Sequence, residues 1–151
     1  MSRRVTPCPQ CGKEGASVHR ITLKALLTPD GLRRGIPAQP RFCANADCPI
    51  VYFDADGEVT FNEADLTVRV FAKQAVDPET LVCYCFGVDV ATMRDASKAR
   101  PCRESVAREV AAGRCACEVR NPKGGCCLGD LVRIERDPQA EASASSCCSV
   151  S

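Results

Sequence analysis

Cysteine constrains this chain more than any other feature. Thirteen of its 151 residues are cysteine, and all but Cys102 fall in close pairs. The pairs are Cys8/Cys11, Cys43/Cys48, Cys83/Cys85, Cys115/Cys117, Cys126/Cys127 and Cys147/Cys148. An odd count at spacings this tight suits metal ligation or redox chemistry better than a disulfide framework. The N-terminal MSRRVTPCPQCG carries arginines but no apolar stretch behind them, unlike a secretory signal. No apolar run approaches the roughly 18 residues of a membrane span. The expectation is a cytoplasmic, metal-loaded protein. Aromatic residues make up only 5% of the chain and tryptophan is absent, so little large apolar area is left for a conventional core.

Charge adds little. The formal net charge is +1, without the basic stripe and interleaved aromatics that mark a nucleic-acid surface. Residues up to Arg41 lean basic and residues 43–80 lean acidic, which reads as internal complementarity between two stretches that fold onto each other. The β-branched and aromatic enrichment of residues 17–27 (SVHRITLKALL), 50–54 (IVYFD) and 66–71 (LTVRVF) predicts short strands, with a turn at Asp56-Gly57. Residues 74–80 read as a polar linker. Beyond it the pattern turns helical. Asp89 caps a first helix reaching about Ala96, with Val90 and Met93 on one side. Pro101 and Glu104 suit the first turn of a second, in which Val106 and Val110 share a face and Gly113 ends it. A third starts near Cys127 and turns Leu128, Leu131 and Val132 inward. The class is α+β, a small two-domain metalloprotein. Residues 1–76 form a zinc-bound β-rich domain, 77–137 a small helical domain, and 138–151 a disordered Ser/Cys tail.

Cys8-Pro-Gln-Cys11-Gly is a knuckle-like turn whose two thiolates approach one cation from a single loop. Cys43 and Cys48 provide a second pair at a spacing used in structural zinc sites, and together the four make a closed tetrahedral set. Binding there converts directly into folding free energy, on the order of 10 kcal/mol for structural zinc. Two disulfides would require an oxidising compartment, and a catalytic zinc keeps an open position with mixed ligands. His19, the only histidine, reads as a surface side chain on a strand rather than a ligand.

Cys83-Tyr-Cys85 places two thiolates in one tight loop beside Gly87. Cys115, Cys117, Cys126 and Cys127 sit in GRCACEVRNPKGGCCLGD, where exposed backbone N–H groups are free to bond to sulfur. Iron–sulfur clusters use four thiolates and respond to such bonds. Gly124-Gly125 lacks the spacing and context of a nucleotide-binding fingerprint.

A Cys-x-Cys, two short helices and a cysteine loop opening a further helix resemble the BFD-like [2Fe–2S] domain. Cys117-Glu-Val-Arg-Asn-Pro-Lys-Gly-Gly-Cys126-Cys127 is similar to a more specific variant. With the CPxC module and Cys48-Pro-Ile-Val-Tyr-Phe53, the chain resembles the N-terminal region of CopZ-type copper chaperones over about residues 6–136. The resemblance implies zinc on Cys8, Cys11, Cys43 and Cys48, and a [2Fe–2S] cluster on Cys83, Cys85, Cys117 and Cys127, with Cys126 as the alternate fourth ligand. Cys102 and Cys115 are left unassigned. Full-length members continue into a ferredoxin-like domain with a CxxC copper site, which these residues do not contain. Copper delivery by that module is therefore not carried over.

The function implied is an iron–sulfur and zinc protein of copper or heavy-metal homeostasis, which reduces Cu(II) to Cu(I) by one-electron transfer. The alternative is a non-redox metallochaperone or sequestering protein in which thiolates, including Cys147 and Cys148, hold Cu(I). A zinc-only interaction module is a third reading. Expected partners are copper or another thiophilic ion and a copper-transporting ATPase or redox partner, with neither nucleic acid nor membrane insertion.

Overall fold

The computed structural model describes residues 6–74 and 77–138. Its first half is built on a four-stranded antiparallel sheet in the order β1 (Ala16–Ser17), β2 (Arg41–Phe42), β3 (Ile50–Phe53), β4 (Thr60–Asn62). β3 is apolar throughout and buried at every position, as its β-branched and aromatic composition predicts. Asp54 accepts from the Glu58 amide and Gly57 takes a positive φ of 72°, closing the expected turn into β4.

Residues 17–27 do not form the expected strand. Only Ser17 pairs in the sheet, and α1 (Arg20–Leu26) follows. Leu23, Leu26 and Leu27 recur at helical spacing and are all buried. That periodicity overrides the β-branched content of Val18, Ile21 and Thr22. His19 is exposed at the helix start rather than on a strand. α2 (Pro29–Arg33) follows, with Thr28 accepting from the Gly31 amide and Pro29 in the first turn.

Residues 66–71 are not a strand either. Leu66 makes one isolated bridge to Leu27, and the chain enters α3 (Phe71–Gln74). Leu66 and Val70 pack with α1 and the sheet, while Phe71 already packs in the second core. Of the linker read over 74–80, Gln74 belongs to α3, and residues 75 and 76 lie outside the described residues.

The second half pairs β5 (Leu81–Cys83) with β6 (Val88–Asp89) and then winds through four helices. α4 (Val90–Arg94) is capped by Asp89, which accepts from the Thr92 amide, and buries Val90 and Met93 as expected. α5 (Ala99–Ala111) buries Val106, and Gly113 follows at a φ of 75°. α6 (Cys117–Arg120) is short, and α7 (Leu128–Arg136) starts just after Cys127. In α7 Leu131 and Ile134 are buried and Leu128 packs against the same core as expected, with Val132 half-buried. The spacing of three from Leu131 to Ile134 follows the helix, whereas the expected Leu131–Val132 neighbours point apart. These helices enclose a core of Val82, Val90, Met93, Val106, Leu131 and Ile134 with Cys83, Cys117 and Cys127. Most of the expected tail, with Cys147 and Cys148, lies outside the described residues. Among the described residues no helix is long and apolar enough to cross a membrane.

The two halves are in contact along α1 and α6. Gly124, at a φ of 72°, lies so close to α1 that a Cβ there would meet Val18 Cγ1 at 3.3 Å and Thr22 Oγ1 at 3.5 Å.

Candidate metal centres

In the first cysteine set, the Cys8 amide donates to Lys13 O and the Gly12 amide to Cys8 O, closing the CPQCGK turn. Gly12 supplies the positive φ of 77° that the turn requires. The second turn closes through the Cys48 amide on Asn45 O, with Asn45 Oδ1 accepting from the Asp47 amide. β1 pairs with β2 and so brings the first turn to the second, which lies between β2 and β3. Cys8 and Cys48 sulfurs lie 3.8 Å apart, Cys11 and Cys43 3.7 Å, and all four fall within 4.8 Å of one another. A zinc tetrahedron with bonds of about 2.3 Å has sulfur–sulfur edges of about 3.8 Å. The donor set therefore fits zinc in both chemistry and size.

The surroundings fit too. Burial pushes the Cys43 thiol up to about 12 and raises Cys48, while the amides of Asn45 and Ile50, each two residues on, stabilise the thiolates. Burial also acts to raise Cys11, but hydrogen bonds led by the Lys13 amide outweigh it and hold this thiol at about 6. Lys73 on α3 donates its ammonium to Asn45 O at 2.6 Å and sets a positive charge near Cys43. Ile50 and Phe53 complete the apolar wall, and Cys8, Cys43 and Cys48 are buried. Such a site is closed and structural, with no face for a substrate.

The second set is arranged differently. Cys85 and Cys117 sulfurs lie 3.7 Å apart, and the Cys83 and Cys127 side chains interact as a second pair. That interaction, with the amides of Phe86 and Cys85, lowers Cys83 to about 6 against its burial and raises Cys127 strongly. The Ala116 amide donates to Cys85 Sγ at 3.1 Å, and burial raises the Cys117 thiol although the Cys127 amide acts to stabilise its thiolate. Cys117 opens α6 and Cys127 precedes α7. Cys127 is 1% exposed, whereas its neighbour Cys126 is exposed. Cys102 and Cys115 are half-buried against the same core.

Sequence reasoning missed the hydroxyls around this set. Tyr84, between Cys83 and Cys85, donates to Arg69 O and accepts from the Phe71 amide at 3.1 Å. Tyr52 on β3 donates to Pro122 O at 2.5 Å, and Thr22 on α1 donates to Glu118 O. One signal was available: Pro122 has no N–H for the carbonyl of Glu118, four residues earlier.

Comparison with known proteins gives three findings. Residues 5–67 match a family described as "Zinc binding domain" (zf_CopZ). The copper chaperone CopZ of Archaeoglobus fulgidus is 32% identical over 128 residues, 84% of this chain. The chain spans 60% of that relative's length. The X-ray structure of the Archaeoglobus fulgidus CopZ N-terminal domain is similar with a TM-score of 0.68 and 31% identity, over 85% of this chain and 96% of that one.

Proposed function

The chain belongs to the family of the CopZ N-terminal domain, and from that premise we propose that it is a zinc-structured [2Fe–2S] protein acting in copper handling. In this reading Cys8, Cys11, Cys43 and Cys48 hold zinc. Cys83, Cys85, Cys117 and Cys127 hold the cluster in a helical BFD-like domain of residues 77–137. The observation that carries it is the contrast in sulfur grouping. Among the described residues, the first set is the one group drawn within 4.8 Å of itself, as a single ion requires. The second set falls into two pairs, Cys85 with Cys117 and Cys83 with Cys127, which suits two metal ions side by side. The amide donors to Cys83, Cys85 and Cys117 are the kind that tune such a centre.

When bound, a [2Fe–2S] cluster supplies one-electron transfer, and one electron is what Cu(II) needs to become Cu(I), the ion that soft thiolates hold. The chain's own part is to orient four sulfurs, stabilise their charge with amides, and exclude water from the buried side. Burial of Cys127 and its interaction with Cys83 support it over the exposed Cys126 as the fourth ligand. The metal handled, a redox partner and a copper-transporting ATPase as recipient belong to this proposal.

Anaerobic purification followed by metal analysis tests it. The expected protein is red-brown, with about two iron atoms per chain for a [2Fe–2S] centre and one zinc for the closed site. A colourless protein holding zinc alone would overturn the cluster reading. A coloured protein that binds Cu(I) but leaves Cu(II) unreduced would instead assign it to non-redox metal carriage.

A further inference from the structure

Three hydroxyl-bearing residues connect the two cysteine regions, and none of them is a candidate ligand. Thr22 and Tyr52 are 0% exposed, so neither has water as an alternative partner. Thr22 belongs to α1 and Tyr52 to β3, the strand that also packs against the first cysteine set. Their acceptors, Glu118 O and Pro122 O, both lie on the segment between Cys117 and Cys127. Tyr84 provides a third tie, from the Cys83–Cys85 loop back to Arg69 and Phe71.

The segment needs these partners. α6 is only four residues long, so its last carbonyls have few acceptable donors of its own. The natural donor to Glu118 O is the N–H of residue 122, which is proline. Asn121 closes the rest of the loop on itself: its side chain donates to Gly125 O at 2.8 Å and accepts from the Lys123 amide at 3.2 Å. The Gly124 amide donates to Asn121 O at 2.7 Å. That closure leaves the Glu118 and Pro122 carbonyls facing the first half. The absence of a Cβ at Gly124 lets the loop approach α1 closely enough for Thr22 to reach. Burial holds the Tyr52 phenol protonated, so its oxygen remains a donor.

We propose that Thr22 and Tyr52 are positioning residues for the cluster: by holding the backbone of residues 118 and 122, the zinc-bound half fixes where the sulfurs of Cys117 and Cys127 stand. This rests on the cluster reading above. Each hydroxyl acts through a backbone carbonyl and touches no ligand, so its removal should change the cluster environment without changing which thiolates bind. Zinc content should be untouched, because neither side chain contacts the first cysteine set.

The test uses the full chain with Thr22→Val, Thr22→Ser, Tyr52→Phe and the double variant Thr22→Val/Tyr52→Phe. Thr22→Val and Tyr52→Phe nearly preserve volume, and Thr22→Ser keeps the hydroxyl. Expected results are an altered visible circular dichroism spectrum and faster release of iron to a chelator, by about fivefold per lost hydrogen bond. Zinc should stay at the wild-type level, and Thr22→Ser should restore wild-type behaviour. A double variant with the wild-type spectrum and release rate would overturn the proposal. If it folds poorly, Thr22→Val against Thr22→Ser gives the same decision. Amide exchange of residues 117–125 in zinc-loaded, iron-free protein separates the two readings. Wild-type protein that never binds iron defeats the cluster reading alone. Unchanged exchange in the double variant defeats the clamp, whether or not iron binds.

Discussion

The two cysteine regions solve the same problem, gathering four thiolates, by opposite means. In the first, two tight turns far apart in sequence are brought together by strand pairing, and all four sulfurs collapse within 4.8 Å. In the second, the sulfurs line the edge of a helical core as two separate pairs, with Cys85 half-exposed and Cys126 exposed beside them. A closed tetrad serves folding, while under the proposed reading an edge with a solvent-facing side leaves an approach for a redox partner or ion. The difference teaches that spacing within a motif selects a turn, but the elements on either side decide whether the sulfurs gather as one group or as pairs.

The largest effect should come from Cys11→Ser. Losing one of four zinc ligands removes a binding energy on the order of 10 kcal/mol that is coupled to folding. The first half, whose sheet strands flank the zinc turns, should lose its native circular dichroism and its zinc. Iron should remain bound, but with the altered visible spectrum of the clamp variants, because Thr22 and Tyr52 are displaced with the half that carries them. An unchanged visible spectrum in Cys11→Ser would show the two regions to be independent.

At the second site, Cys83→Ala, Cys85→Ala and Cys117→Ala should each abolish iron binding, and the doublet should divide. Cys127→Ala should lose iron, since it removes the buried partner of Cys83, whereas Cys126→Ala should retain nearly the wild-type iron content. Equal iron in both doublet variants would mean that the thiols substitute for each other.

Much of this architecture could be read before any coordinates. Local signals served well where a single residue decides the backbone: Asp89 caps α4, Gly57 turns the β3–β4 connection, and Gly113 follows α5. They failed at residues 17–27, where Val18, Ile21 and Thr22 favour strand and the leucines favour helix. Packing of Leu23, Leu26 and Leu27 decided between them. The same error hid the contact between halves. A strand over 17–27 would have been spent on pairing, whereas α1 is free to present Thr22 to α6. Tyr52 was legible as a strand residue but not as a donor, since no pattern in IVYF says which carbonyl, seventy residues on, its phenol meets.

A smaller effect distinguishes the sites by protons. Burial raises Cys43 to about 12 and raises Cys48, so without metal both thiols are protonated at neutral pH. Cys11, held at about 6, is then already mostly thiolate. Zinc must displace the protons on Cys43 and Cys48, so its apparent affinity should rise with pH and fall on acidification. Calorimetric zinc titrations of iron-free protein at pH 7, in two buffers of different ionisation enthalpy, should give different heats. Identical heats would mean that the tetrad is already deprotonated.

The smallest effect comes from glycine, where two residues with nearly the same φ face different surroundings. Gly113 (75°) has open space where a Cβ would go, whereas Gly124 (72°) faces Val18 and Thr22. Replacing either by alanine imposes left-handed strain of about 1–2 kcal/mol. Gly113→Ala should show that strain alone, as a lower thermal midpoint with an unchanged visible spectrum. Gly124→Ala adds a contact at 3.3 Å, which forces Val18 to give or the loop to retreat from α1. Retreat lengthens the Thr22–Glu118 bond, so this variant should also show faster amide exchange over residues 117–125 and an altered cluster spectrum. If Gly124→Ala speeds amide exchange over residues 117–125 yet leaves the cluster spectrum unchanged, the loop can leave α1 without disturbing the sulfurs, and the coupling between the two regions is broken.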